Sequence, residues 1–196
     1  MVDLDRIRNE VFSELSPRRR RHVEGVVATS LRFAERLGVD RSKAELAALL
    51  HDMCKEWPPE RQAEVLRRHR DTLWLDYDAN LWHAPCASYI ARERFGVEDP
   101  LVLEAVYYHT TGRAAMSPLD LVLWVADYVE PSRDFPGVEA ARALAEVDLY
   151  AAFCHGVRET ILELAWEEEK IFPLALDAYN ACVRRRRRQT ESAEDE

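Results

Sequence analysis

Four of the six histidines stand where they can do chemistry together with two aspartates. His51 and Asp52 are adjacent and follow the apolar run LAALL, so the pair falls at the end of a buried helix. A lone His-Asp pair is ordinarily a surface helix end. Burying an acid and an imidazole without partners is costly, and coordination of a cation satisfies both. Asp127 lies inside LVLWVADYVE, between Val125 and Val129, where an aspartate needs a cation or several donors. His22 sits beside Val23 in a helix whose other face is apolar. Taken singly it reads as a core-edge histidine bonded to a carbonyl. His83 in NLWHAP and His109 in YYHTTG fall at helix boundaries, which can aim side chains into a shared cleft. Imidazole nitrogen with carboxylate oxygen suits iron, zinc, manganese or cobalt, and disfavours a magnesium-only or calcium site. An ion so held lowers the pKa of bound water, and the chain offers no G-x-S-x-G nucleophile elbow as an alternative.

Helices must position these groups. Ser16-Pro17 supplies an N-cap and an N1 proline to a helix running to Leu37, closed by Gly38, with Val23, Val26, Val27, Leu31, Ala34 and Leu37 as its apolar stripe. Ser42-Lys43-Ala44-Glu45 reads as a capping box opening the helix that leads to His51. Pro58-Pro59 stops that segment and starts another, reaching about His69. Residues 70–84 read as a loop with a single helical turn. Pro85 starts a helix closed by Gly96. Asp99-Pro100 caps LVLEAVYYH, and Ser117-Pro118 opens LDLVLWVADYVE, which Pro131 ends. Helices are expected over about 138–166, broken near Val147-Asp148, and over 172–184. No segment alternates as a half-buried strand does. The expected fold is all-α, a compact single-domain helical bundle. Its divisions are a helical N-terminal extension (1–15), the catalytic domain (16–183) and a disordered charged tail (184–196) in which an arginine block precedes an acidic one.

The chain of 196 residues, 47% hydrophobic and 32% charged, is long enough to bury a core unaided. A net charge of -9 argues against general nucleic-acid binding. An acidic protein can still hold a phosphorylated substrate, given metal ions or a local basic cluster. Cys54, Cys86, Cys154 and Cys182 match no zinc or disulfide framework, so free thiols in a reducing cytosol are expected. The charged segment MVDLDRIRNEVF does not read as a secretory signal and no stretch approaches the length of a membrane span, so the expected location is the cytoplasm. One core accounts for all the apolar stripes. The sequence does not fix the oligomeric state, and a homodimer stays open.

The order His22, His51-Asp52, Asp127 resembles the HD-domain phosphohydrolase superfamily, and the intervening His83 and His109 resemble its two-metal subset. LLHDMCKEWP, WHAPCASYIARERFGVEDP, HTTGRAAMSPLDLVLWVADYVEPSR and DFPGVEAARALAEVDLYAA resemble the YqeK family of bacterial HD proteins over roughly residues 14–182. That family hydrolyses diadenosine tetraphosphate symmetrically. The resemblance implies iron, as one or two ions, with manganese, cobalt or zinc as substitutes. It implies that His22, His51, Asp52 and Asp127 bind the first ion. His83 and His109 complete a second site or, with one ion, contact substrate phosphate. Asp52, His83 and His109 are the candidate catalytic residues. The implied partners are a dinucleoside polyphosphate and the product ADP. The chain departs from the family in the arginine run before His22, where one arginine and an aromatic are usual. Arg19 fits the family's arginine, and the others read as solvated.

For the substrate, Lys55 follows Asp52 on the same helix end and can reach a phosphate. Arg133 has a phosphate role by resemblance and is a surface arginine by physics alone. Thr110, Thr111 and Arg113 flank the glycine turn after His109, where backbone amides can bind anions and where threonines equally cap helices. Thr111 is the candidate there. Phe172 with Pro173 is the candidate stacking face for a base, although a core phenylalanine is the commoner fate. Trp82 is open to the same two readings. The remaining alternatives are an HD-type nucleotidase acting on mononucleotides and a non-catalytic nucleotide-binding module.

Overall fold

The structure, a computed structural model, describes residues 3–194, with the side chains of 189 and 191–194 excepted. Ten α-helices carry the chain in this range, and no strand occurs among the described residues. At the centre stands α3 (Arg41–Leu50), whose Ala44, Leu46, Ala47, Ala48, Leu49 and Leu50 are all buried. A helix apolar on every side has to be wrapped by others. Its neighbours are α1 (Leu4–Glu14), α2 (Pro17–Leu37), α5 (His83–Phe95), α6 (Pro100–Tyr108) and α7 (Pro118–Val129). The C-terminus of α3, which carries His51 and Asp52, therefore ends inside the molecule.

Capping follows the local sequence. The Ser16 hydroxyl accepts from the Arg19 amide, with Pro17 in the first turn, and Gly38 closes α2 at φ 65°. Ser117 and Asp120 form a reciprocal capping box at the start of α7. At α3 the expected Ser42 box is not the cap. Asp40 caps it, accepting from the amides of Ser42 and Lys43, while the Ser42 hydroxyl donates to the same carboxylate at 2.6 Å. A carboxylate with two acceptor oxygens outcompetes a single hydroxyl for those orphan amides. α5 likewise starts at His83 rather than Pro85, because a proline is tolerated within a first turn. His83 thereby becomes helical.

The segment between α4 (Pro59–Arg68) and α5 holds two short 3-10 turns, Thr72–Asp76 and Ala79–Leu81, in place of the single turn expected. Trp74 pins it to the core. The ring stacks on Phe172 at 4.1 Å, and its indole nitrogen donates to the Tyr107 hydroxyl. Phe172 is only 3% exposed and also meets Tyr77 edge-on, so its ring is a core element and not a platform for a base. Trp82 is tied down too, donating to the carbonyls of Trp74 and Tyr77.

The C-terminal part is α8 (Val138–Val147), α9 (Leu149–Trp166) and α10 (Pro173–Glu194). Asp148 breaks α8 from α9 and caps α9 by accepting from the Tyr150 amide. Two expectations change here. α10 continues as helix through the arginine block to Glu194, where a disordered tail is expected from residue 184. Arginine, glutamine, glutamate and alanine are good helix formers, and they extend a helix already anchored by packing. Cys154 and Cys182 are joined in a disulfide between α9 and α10, leaving Cys54 and Cys86 as buried free thiols. The cysteines thus do not speak for a reducing compartment. No helix among the described residues is long and apolar enough to cross a membrane.

Candidate metal centre

Helix ends from five elements converge at one place. His22 comes from the first turns of α2, His51 and Asp52 from the end of α3, His83 from the start of α5, His109 from the end of α6, and Asp127 from the last turn of α7. His22, His51, Asp52, His83 and His109 are buried. The Asp127 side chain keeps 18% of its surface exposed and faces the cleft.

The two oxygens of Asp52 look toward two donor sets. Its Oδ2 lies 3.4 Å from His22 Nε2 and 3.6 Å from His51 Nε2. His22 Nε2 lies 3.4 Å from His51 Nε2 and 3.1 Å from Asp127 Oδ1. On the other side, Asp52 Oδ1 lies 3.2 Å from His83 Nε2 and 3.9 Å from His109 Nε2, and these two nitrogens are 3.1 Å apart. Donors each about 2.0–2.2 Å from a common ion stand roughly 3.0–3.5 Å from one another, the spacing of most pairs in both sets, with His51 to Asp52 at 3.6 Å and His109 to Asp52 at 3.9 Å wider. Ligand groups His22–His51–Asp52 and Asp52–His83–His109 thus share one carboxylate.

The tautomers are set from behind. His51 Nδ1 lies 2.7 Å from the Ala48 carbonyl and His109 Nδ1 lies 2.7 Å from the Val106 carbonyl. Only an N–H satisfies a carbonyl, so each ring presents a bare Nε2 to the centre. His22 Nδ1 lies 3.0 Å from Glu130 Oε1, which fixes a proton on Nδ1 and leaves Nε2 as the nitrogen turned to the centre. Without a cation, inward lone pairs and two carboxylates would face one another. The donor set fits a divalent cation.

Charge states agree with this reading. Burial pushes His51 and His83 down, and takes His109 to about 3 with help from the neighbouring His83 and His51, so these rings are neutral ligands at ordinary pH. His22 is different. Burial lowers its affinity for a proton, but the hydrogen bond and charge of Asp127, with the charge of Asp52, outweigh burial and raise it. Burial also works against the ionised forms of Asp52 and Asp127. His51, His83 and Arg19 nonetheless hold Asp52 well below the usual carboxylate range, and Arg133 with His22 does the same for Asp127.

Cationic side chains ring the cleft. Arg19 Nη1 donates to Asp52 Oδ2 at 2.6 Å, and Arg133 pairs with Asp127 through both its backbone and its carboxylate. Lys55 Nζ donates to the Asn80 carbonyl at 3.1 Å and lies 3.5 Å from His83 Nδ1. Thr110, not Thr111, lines the cleft, and its buried hydroxyl oxygen has no partner among the described residues. Thr111 is turned inward, donating to the Gly112 carbonyl. Arg113 is occupied by Glu104 and Asp120. Of the five expected substrate contacts, Arg19, Lys55 and Arg133 gather at the cleft, whereas Thr111 and Phe172 do not.

Glu130 is a buried partner of the candidate centre that the sequence reading missed. It is 1% exposed, bonded to His22 and to the Ser132 amide. A Cβ on Gly25 would come within 2.4 Å of its carboxylate, so Gly25 is the space that lets Glu130 reach His22. The available signal was an acid at the end of an apolar helix, one turn after Asp127, opposite a glycine in α2.

The profile of the HD domain family matches residues 19–132. A protein of Bacillus subtilis named "Bis(5'-nucleosyl)-tetraphosphatase, symmetrical" is 40% identical over 88% of this chain and 94% of its own length. One of the same name from Halalkalibacterium halodurans is 40% identical over 88% of this chain and 93% of its own. The crystal structure of a predicted HD superfamily hydrolase from Clostridium acetobutylicum, described as involved in NAD metabolism, superposes with a TM-score of 0.89 at 31% identity, covering 94% of this chain and 99% of that one. The chain belongs to the HD-domain family, in the branch whose Bacillus subtilis and Halalkalibacterium halodurans members carry the symmetrical tetraphosphatase name.

Proposed function

We propose that this protein hydrolyses diadenosine tetraphosphate, and related dinucleoside tetraphosphates, symmetrically to two ADP, with iron in the centre and its place of work in the cytoplasm. The observation that carries the reading is the shared carboxylate. Asp52 offers one oxygen to His22 and His51 and the other to His83 and His109, in a chain aligned almost end to end with relatives bearing the tetraphosphatase name. His22, His51, Asp52 and Asp127 would hold one ion, and Asp52, His83 and His109 would hold a second. Manganese, cobalt or zinc can replace iron in such a nitrogen and oxygen set. When bound, the ions supply a water of lowered pKa and neutralise phosphate charge.

The protein's own groups do the rest. Arg19 and Arg133 stand over the two carboxylates and present their remaining N–H groups to phosphate oxygens. Lys55, poised beside His83, receives charge on the departing ADP. The buried Thr110 hydroxyl is free to bond a phosphate oxygen or an ordered water. No side chain forms a covalent intermediate.

The test is chromatographic. Protein loaded with iron, manganese or cobalt is incubated with diadenosine tetraphosphate and, separately, with nucleoside mono- and triphosphates. Two ADP from the dinucleotide, with little turnover of the others, is expected. Turnover of mononucleotides alone would make the protein a nucleotidase, and tight ADP binding without turnover would make it a binding module. Asp52→Ala should abolish hydrolysis and lower the metal content of the purified protein. An active, fully loaded variant would remove Asp52 from the centre.

A further inference from the structure

Two concavities open on the metal centre, each of about 290 Å³. One is reached from His83, His109, Asp52 and Lys55, and the other from His22 through Arg18, Ser132 and Asp134. They share Arg19, Arg133 and Phe135 as common walls. Each lies at the small end of the range for small-molecule sites, about 300 to 1,000 Å³, and each is open to solvent. Resting on the function proposed above, a cut at the middle of that substrate leaves an identical nucleoside diphosphate on each side of the bond that breaks. Two equal halves call for two compartments astride the centre.

The second compartment has the chemistry for a half of its own. Of its three guanidiniums, Arg19 and Arg133 are tied to Asp52 and Asp127. Arg18 is exposed and makes no hydrogen bond or ion pair among the described residues. It stands in the first turn of α2, followed by Arg19 and Arg20, with no acid in that turn. Cations there oppose the helix dipole, an arrangement that an incoming anion relieves. Asp134 suits ribose hydroxyls, as acids do in other nucleotide sites. Phe135, edge-on to Tyr128 at 5.0 Å, offers an apolar wall.

We propose that the compartment lined by Arg18, Arg19, Arg133, Asp134 and Phe135 is a second nucleoside diphosphate subsite, with Arg18 as its uncommitted phosphate contact. The arginine run before His22 then has a purpose beyond solvation. Immediately after the cut the protein holds two ADP per chain, one in each compartment.

Calorimetric titration of the full-length, manganese-loaded protein with ADP at physiological salt tests this. The wild type should bind two ADP per chain. Arg18→Glu should weaken one of them roughly tenfold or more and raise KM for diadenosine tetraphosphate by a similar factor, with kcat nearly unchanged. A glutamate suits a first helical turn, and Arg18→Gln gives the same reading without reversing charge. Arg21→Glu, one residue before His22 but outside both compartments, should keep both ADP sites. One ADP per chain in the wild type, two undiminished sites in Arg18→Glu, or equal losses in Arg18→Glu and Arg21→Glu would each overturn the subsite. A protein that makes two ADP from the dinucleotide but binds one sinks this inference alone. One that does not cleave the dinucleotide sinks the functional reading beneath it.

Discussion

Behind the imidazole of His22 stands the buried carboxylate of Glu130. Glu130 fixes the proton on Nδ1, and the same hydrogen bond aims Nε2 at Asp52 and Asp127. Partners of this kind are typically worth 10–100-fold in metal affinity. Glu130→Ala should therefore lower metal affinity by roughly that factor, Glu130→Gln by less because an amide oxygen still accepts, and Gly25→Ala should mimic the loss by pushing the carboxylate aside. Competition with a chelator measures all three, and unchanged affinity in Glu130→Ala would dismiss the role. His22 also sets a pH dependence. Its proton affinity is raised in the metal-free protein, so protonated His22 stabilises the empty fold at low pH, and that contribution is lost as pH rises through the raised value. An ion must displace that proton, so apparent metal affinity should climb as pH is raised past the ordinary histidine value. An affinity flat from pH 6 to pH 8 would contradict this. Burial logic pointed to His51-Asp52 and Asp127 as candidate ligands, because an acid inside LVLWVADYVE has few explanations, whereas His22 taken singly read as a core-edge histidine. Glu130 was not legible, because its role depends on a glycine more than a hundred residues earlier in the chain.

Among the elements, the centre is built from helix ends, where the backbone turns and side chains can point inward. Some of these ends were readable: Ser16-Pro17 opens α2 just before His22, and Pro131 follows the end of α7 that carries Asp127. Two of the errors share one cause. Phe172 and the cysteines take their places from contacts between distant segments, which spacing along the chain does not encode, whereas Thr111 turns onto its own neighbour, the Gly112 carbonyl. Phe172 goes to Trp74, and Cys154 meets Cys182 across a sequence separation of 28. Gly112 follows the same pattern. It turns the chain after His109 at φ 65°, and a Cβ there would meet the Phe153 ring at 2.7 Å. Gly112→Ala should cost about 1–3 kcal/mol in thermal unfolding and displace Thr110 from the cleft wall. A variant as stable as the wild type would show that the turn tolerates a side chain. Alkylation after denaturation without reductant should label Cys54 and Cys86 only. Labelling of all four thiols would remove the bond between α9 and α10.

For the whole molecule, the charge distribution divides the work. The chain carries a net charge of -9, yet Arg18, Arg19, Lys55 and Arg133 face the two compartments around the centre. A highly anionic substrate is drawn to that cluster against the field of the rest. Raising ionic strength from about 0.05 M to about 0.5 M shortens the screening length severalfold, so KM for the dinucleotide should rise severalfold with kcat little changed. The all-helical architecture was legible in the sequence because helical periods and caps run through nearly every segment. The continuation of α10 to Glu194 was not, since its outer part has no apolar stripe to announce it. The central claim is that solvent water, activated at the Asp52-centred site, attacks an inner phosphorus of a symmetrical substrate. Hydrolysis of diadenosine tetraphosphate in ¹⁸O-labelled water, followed by mass spectrometry of the products, tests it directly. The account predicts ADP as the sole nucleotide product, with one of each pair carrying a single ¹⁸O on its β-phosphate. Labelled ATP with AMP, or no turnover by the metal-loaded protein, would contradict it.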